Sequence, residues 1–295
     1  MFFFEGPRMP WSTSSETGCL RDVLLCPPTY YRWIPTNAVA VHTLHAQAEL
    51  DAAGVAAQFE GLLSVLRQSG VTCHFLQPDP ALPYQVYTRD SSQTTPWGTV
   101  LTQLRMRQRR GEVGAVVDFY HQRGFWRSAS AGSLEGGDIH LIRPGLAVIG
   151  WSGVRSTREG AAQLAGWLQQ EGWHVRLENF AAHFLHLDVL FCMAADNLAV
   201  ACIEVLGDDF AAFLAAHGIG VIEASYREVM EMSCNLLSLG EGRVVSPAHS
   251  VRINARLREA GLTVFDPPLD CFARGGGSVH CMTMPLRRDE LPARA

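Results

Sequence analysis

The chain has 295 residues, 47% of them hydrophobic and 18% charged, with a formal net charge of −5. That is enough apolar material for a large buried core in a globular protein, and an acidic balance with no lysine, arginine carrying every positive side chain, argues against nucleic-acid or membrane-surface binding, which needs clustered basic residues. No window approaches a membrane span, and Met1-Phe2-Phe3-Phe4-Glu5 lacks the basic region and apolar length of a signal peptide, so a cytoplasmic location is expected.

Residues 1–18 read as an N-terminal extension. Leu20 to Cys26 is an apolar strand stopped by Pro27-Pro28, and Tyr30 to Asn37 ends in a polar turn. From His42 to Gly70 the apolar residues Leu50, Val55, Phe59, Leu62, Leu63 and Leu66 recur at helical spacing, and Gly70 closes the helix. Val71 to Leu76 is the next strand. Four stretches, 87–104, 137–150, 187–205 and 235–245, then each read as two apolar strands joined by a Gly, Pro or Asn turn. An acid or amide opens each of them: Asp90, Asp138, Asp188 and Asn235. Helical patterns follow at 113–123, 156–171, 208–217 and 250–260, and strands close the units at 174–177, 221–222 and 262–265. Gly275-Gly276-Gly277 lead into a last apolar run, through Cys281 to Leu286, that reads as a buried strand. Residues 287–295 read as a solvated tail.

This repetition is the largest-scale signal in the chain. About five modules of roughly 60 residues make the kind of fixed period that marks a propeller or array. No module alone can cover its apolar face. Five arranged around an axis bury one another and aim the hairpin openings at a central cavity. The fold expected is α/β, a five-bladed pseudo-symmetric propeller forming one catalytic domain over residues 1–295. The alternative is an α/β sheet whose hairpins are alike by accident.

Four places carry polar residues that a core would not choose: Tyr87-Thr88-Arg89-Asp90, Leu134-Glu135-Gly136-Gly137-Asp138, His186-Leu187-Asp188 and Cys281. The i, i+2 spacing of His186 and Asp188 predicts that they share one strand face. A cysteine needs a basic or cationic neighbour to become a nucleophilic thiolate; otherwise Cys281 is a small core residue. A histidine, several acids and one thiol describe a negative cavity with one nucleophile. Its natural guest is a delocalised cation such as guanidinium, planar and able to pair with carboxylates in bidentate fashion. Carboxylates on both sides would orient it and make its central carbon more open to attack. The eight cysteines have no C-x-x-C pair or zinc-finger spacing and fit reduced thiols. His183, His186 and Asp188, or His42 and His45, form no metal-ligand signature, and no G-x-S-x-G elbow is present. No metal and no cofactor are expected.

Taken in order, Thr88-Arg89-Asp90, Glu135-Gly136-Gly137-Asp138, His186-Leu187-Asp188 and the stretch from Gly275 to Leu286 that contains Ser278-Val279-His280-Cys281-Met282 resemble the guanidino-group-modifying superfamily. Its members include arginine deiminases, dimethylarginine dimethylaminohydrolases, agmatine deiminases and amidinotransferases. The resemblance runs from about Asp22 to Leu286 and implies a five-bladed propeller. It also implies roles: Cys281 attacks the guanidinium carbon, His186 acts as general acid and base, and Asp90 and Asp188 grip the guanidinium nitrogens. Glu135 holds the substrate or orients His186, and Asp138 binds the substrate, caps its own turn or binds a nearby arginine. The His-x-Asp form at 186 and 188 resembles arginine deiminases and amidinotransferases. Pro27-Pro28-Thr29-Tyr30-Tyr31 with Thr36-Asn37 resembles the dimethylarginine hydrolases, which brings Asn37 among the substrate-binding candidates.

Arginine deiminases carry an arginine five residues before the cysteine, where this chain has Gly276. Arg274 matches an earlier family arginine. Arg127, or one of Arg105, Arg107, Arg109 and Arg110, could take the substrate carboxylate instead, the basic run being otherwise a solvated surface. The activity implied is hydrolysis of a C–N bond in a small guanidino compound, arginine or a close relative, through an amidino-thioether on Cys281, releasing ammonia or an amine. One alternative is an amidinotransferase that passes the group to an amine. Another is a non-enzymatic propeller like that of a ribosome-binding translation factor, which would have no use for a thiol, a histidine and paired acids in register. Whether the chain forms a homo-oligomer is left open.

Overall fold

The computed structural model describes residues 11–121 and 124–291; the aromatic run at residues 1–5 lies outside them. The strands are β1 (Leu20–Leu25), β2 (Thr72–Phe75), β3 (Ser92–Thr95), β4 (Gly98–Leu101), β5 (Arg127–Ser128), β6 (Ile139–Arg143), β7 (Leu146–Trp151), β8 (His174–Asn179), β9 (Phe191–Ala195), β10 (Leu198–Ala201), β11 (Gly220–Glu223), β12 (Leu237–Gly240), β13 (Arg243–Val245), β14 (Thr263–Phe265) and β15 (Met284–Arg288). They form five sheets of three: β3-β4-β5, β6-β7-β8, β9-β10-β11, β12-β13-β14 and, joining both ends of the chain, β15-β1-β2. In every sheet the first two strands are antiparallel and the third is parallel to the second.

A parallel third strand requires a crossover, and one helix in each unit supplies it: Ala52–Gln68, Glu112–Tyr120, Arg158–Gln170, Asp208–Ala216 and Val251–Glu259. The molecule is therefore a five-bladed α/β propeller. The first strands of the blades begin at Ser92, Ile139, Phe191, Leu237 and Met284, a closer repeat than expected. First strands of neighbouring blades pack side by side at the centre, β15 with β3 and β9 with β12. No helix among the described residues is long and apolar enough to cross a membrane.

The single helix expected over 42–70 is two helices, Ala38–His45 and Ala52–Gln68. Gln47 takes a φ of 52°, a left-handed conformation that cannot continue a helix. Asp51 then starts the second helix by accepting from the Ala53 amide at 3.0 Å. The apolar stripe Val55, Phe59, Leu62, Leu63 and Leu66 belongs to that second helix and is buried along its whole length. Each such side chain contributes about 1.5–3 kcal/mol relative to exposure.

Both chain ends correct the sequence-based expectation where they are described. Arg287 and Arg288 are not a solvated tail but the end of β15, which pairs with β1 and closes the ring. Arg288 is buried, donating to the Gly18 carbonyl at 2.7 Å and the Ser238 carbonyl at 2.8 Å. Residues 11–18 are packed rather than extended outward: Trp11 stacks on Phe119 at 5.1 Å and Glu16 is buried. The run through Cys281 is a turn, with Met282 N donating to Ser278 O at 3.0 Å, and the strand begins only at Met284.

Candidate active site

In four of the five blades the turn before the first strand carries the acid or amide noticed in the sequence, and in the fifth the turn before β15 carries Cys281. Thr88–Ser91, Gly136–Asp138 and Leu187–Val189 are short 3-10 turns, so His186 precedes a turn that contains Asp188, and the two do not share a strand. The turns are tied to one another around the axis. Gly137 N donates to Asp90 Oδ1 at 3.3 Å, and Leu187 N to Asp138 Oδ1 at 2.8 Å. Cys281 N donates to Asn235 Oδ1 at 3.2 Å, and Arg89 N to Cys281 O at 3.1 Å. In each of these pairs an acid, amide or carbonyl satisfies a buried amide of the neighbouring turn, as buried backbone donors require. Asp188 departs from the pattern. Its Oδ1 is buried and has no partner among the described residues, and its Oδ2 turns toward Cys281.

At the centre is a narrow cleft lined by Cys281, His186 and Asp90, by Arg109 and Arg155, and by Tyr84, Tyr87, Leu185, Asn37, Gly275 and Gly276. Gly276 has a φ of 96°, and a Cβ there would meet Asn37 Oδ1 at 2.6 Å. Asn37 itself donates to the Gly275 carbonyl at 2.9 Å and accepts from Ala40 N at 2.8 Å. It thus shapes the glycine wall of the cleft and caps the helix Ala38–His45 with the same side chain.

On one side of the cleft His186 Nε2 lies 2.7 Å from Glu135 Oε2, and its Nδ1 lies 3.5 Å from Asp90 Oδ1. Burial disfavours a charged ring, but the facing charges of Asp90 and Asp138 and the Glu135 hydrogen bond outweigh it, raising the His186 pKa to about 9. Burial also works against an ionised Glu135; the His186 hydrogen bond and the Arg155 charge overcome it and lower that carboxyl to about 2. Arg155 Nη1 is 3.4 Å from Glu135 Oε2, and the Arg105 amide donates to Oε1 at 2.8 Å. At neutral pH the pair is an imidazolium on a carboxylate.

On the other side Cys281 Sγ lies 3.2 Å from Asp188 Oδ2 and 3.1 Å from Asn235 Nδ2. Burial, then the charges of Asp188 and Asp90, push its thiol well above the ordinary cysteine value. The free protein therefore holds a thiol, and a cation entering between the two aspartates would favour the thiolate.

The structure brings Cys281, His186, Asp90 and Asn37 to one cleft and places Glu135 and Asp188 directly against the histidine and the thiol. Asp138 spends Oδ1 on the Leu187 amide, and burial pushes its carboxyl up to about 7. Two expectations are corrected. Arg127 sits on the exposed β5 over the rings of Trp126 and Trp167, because β5 is an outer strand of its blade. Arg274 is exposed beyond the glycine turn on a separate groove with His42 and Thr43, its carbonyl accepting from Thr43 Oγ1 at 2.9 Å.

Arg109 is not solvated. It is buried, with Nη1 2.5 Å from Asp90 Oδ2 and with Nε and Nη2 on the two Glu112 oxygens at 2.9 and 2.7 Å. The i, i+3 pairing of Arg109 with Glu112 at a helix start could have singled it out of its run. Arg155 and Tyr84 line the site without any local signal that separates them from surface or core residues, whereas Asn235 was marked by its place at the opening of a hairpin and Tyr87 by the polar stretch it begins.

Two groups of metal-type donors stand close together among the described residues, Asp90 with Glu135 and His186, and Glu16 with His140 and His280. In both, the acids already face arginine cations of the chain: Arg109 and Arg155 in the first, Arg89 in the second.

The chain matches over residues 35–288 the family model described as N,N dimethylarginine dimethylhydrolase, eukaryotic. It is 28% identical over 282 residues to the uncharacterized protein YkgA of Bacillus subtilis, covering 94% of this chain and 95% of that one. An arginine deiminase of Mycobacterium marinum is 30% identical over 250 residues, 72% of this chain but 62% of the deiminase. Among solved structures, a dimethylarginine dimethylaminohydrolase mutant from Pseudomonas aeruginosa complexed with citrulline superposes with a TM-score of 0.76 at 21% identity, covering 90% of this chain and 99% of that one. The N-terminal domain of the cyanobacterial arginine dihydrolase ArgZ, covalently bound to a reaction intermediate, gives 0.78 at 19% identity over 92% and 99%. At these identities the two structures speak to the fold alone.

Proposed function

The chain belongs to the N,N-dimethylarginine dimethylhydrolase family, within the guanidino-group-modifying superfamily, and from that premise we propose that its five blades act as one catalytic domain that hydrolyses a C–N bond of a guanidino amino acid, arginine or a methylated arginine. The observation that carries this reading is the shared cleft: a thiol at Cys281, an imidazolium at His186 and the acid Asp90 line it together. Asp188 Oδ1, buried and unpartnered, is suited to a guanidinium N–H.

In this reading the guanidinium enters between Asp90 and Asp188, and its charge favours ionisation of Cys281, whose proton passes to solvent because His186 already holds its own. Sulfur adds to the central carbon. The C–N bond to the leaving nitrogen breaks as His186 protonates the departing amine, which leaves an amidino-thioether. The neutral His186 then takes a proton from water, whose oxygen attacks the same carbon, and the sulfur leaves. Arg109 and Arg155, the cations lining the cleft, suit a substrate carboxylate, so agmatine, which lacks one, is expected to be the poorer substrate.

Incubation with arginine, mono- and dimethylated arginines, agmatine and shorter guanidino acids, followed by mass spectrometry, tests this reading. Citrulline with ammonia or a methylamine is the expected product set. Ornithine would point to a second hydrolysis, and transfer to added glycine to an amidinotransferase. Agmatine consumed faster than every amino acid would contradict the carboxylate reading. A further variant probes the ring position. A Cβ on Gly137 would stand 2.8 Å from His186 Cγ and Nδ1, so Gly137→Ala is expected to lower kcat about a hundredfold through a misplaced ring while circular dichroism stays that of the parent. An unchanged kcat would mean that the ring position is not critical.

A further inference from the structure

Behind the nucleophile lies a buried chain of groups that the scheme above does not use. The His280 ring bridges two carboxylates, with Nδ1 2.9 Å from Asp188 Oδ2 and Nε2 3.4 Å from Glu16 Oε2. All three residues are buried. Each ring nitrogen thus faces a carboxylate oxygen, a group that accepts when ionised. His140 lies parallel to the ring at 5.4 Å, its own nitrogens without a partner among the described residues. Burial lowers its pKa to about 4 and keeps it neutral. Arg89 Nε donates to the His280 carbonyl at 3.2 Å, and its charge also faces Glu16, as does that of Arg288. The remaining groups around Asp188 are His186, the Cys281 thiol, and Cys192 and Asn235, both of which reach its carbonyl at 3.4 Å.

We propose that Glu16 and His280 are positioning residues that keep Asp188 ionised and turned so that Oδ2 faces Cys281 while Oδ1 remains for a cationic substrate. The inference rests on the guanidino reading above. Burial raises a carboxyl, as Asp138 illustrates at about 7. At Asp188 the same burial is outweighed by the His280 hydrogen bond and charge, and the group sits at about 2. Glu16, from the segment before β1, engages the second ring nitrogen and so fixes the tilt of the ring, as outer carboxylates do for histidines at reactive sites.

The test compares two reagents at Cys281, chloroacetamidine, a cation, and iodoacetamide, which is neutral, with modification located by peptide mass spectrometry. The ratio of the two rates cancels the ionisation of the thiol itself and reports the negative charge around it. In the parent the ratio is expected to stay level from about pH 8 down to about pH 5, because Asp188 remains ionised throughout. His280→Asn keeps an N–H for Asp188 but not the charge, so the carboxyl rises into this range and the ratio falls at least about threefold by the acidic end. Glu16→Gln moves it in the same direction by less, and decides the matter alone if His280→Asn does not fold. A ratio that stays level in the folded variants overturns this inference and leaves the function reading standing. A parent Cys281 with no preference for the cation overturns both.

Discussion

Cys281→Ser is expected to lower turnover by about 10⁴-fold or more and to abolish the single adduct that a haloacetamidine leaves on the parent protein. The serine hydroxyl can keep the contacts to Asp188 and Asn235 that the thiol makes at 3.2 and 3.1 Å, so melting temperature should change little. What is lost is the nucleophile, since a hydroxyl among buried carboxylates has no accessible anionic form near neutral pH. The other cysteines give a built-in control. Cys192 and Cys234 are also buried with thiols pushed up by desolvation, yet neither lines the central cleft. Intact-mass analysis that finds the adduct persisting in Cys281→Ser would remove the covalent step from the reading.

Arg109→Leu is expected to destabilise the protein by about 3–5 kcal/mol, the cost of leaving buried charges without their partner. Arg109 neutralises Asp90 and Glu112 at once, and neither acid has exposure to water to replace it. Even with the arginine present, burial holds the Glu112 carboxyl up at about 7. Without it that carboxyl moves higher still. At Glu112 the penalty belongs to the ionised acid, so it is largest at alkaline pH and shrinks as pH falls and that orphaned carboxyl takes up a proton. Urea unfolding near pH 8 and pH 5.5 measures this directly. A deficit of the same size at both values would mean that Arg109 contributes packing and not charge. In a variant that still folds, a raised KM for carboxylate-bearing substrates is the accompanying kinetic result.

The repeat of acid-opened hairpins pointed to a propeller because each blade is a local unit whose strand pair, helix and closing strand are written in consecutive residues. The errors fall where a long-range partner decides. The helix expected over 42–70 breaks at Gln47, a residue with no strong turn preference. The apparent tail is a strand because Leu20 to Leu24 lie ready to pair with it. The acids show the same division. Asp90, Asp138 and Asp188 look alike in sequence, each at the mouth of a hairpin. Asp90 and Asp138 hold the next turn of the ring, whereas Asp188 is turned toward the thiol by His280. No local spacing separates these roles.

What the sequence determined by itself is the periodic order of apolar strands and helices, the thiol, the histidine and the acids that open the blades; the negative cavity it described is corrected by Arg109 and Arg155, which line the cleft beside Asp90. Only the tertiary structure decided which cations enter that cleft and which acids keep a buried oxygen without a partner among the described residues, Asp138 and Asp188. Arg109 and Arg155 come to the centre while Arg127 and Arg274 stay outside. Glu16 reaches from the segment before β1 to His280, the neighbour of Cys281. The physical reason is that charge burial is tolerated only where an opposite charge is buried with it, and closing the ring of blades brings those opposites together from distant parts of the chain.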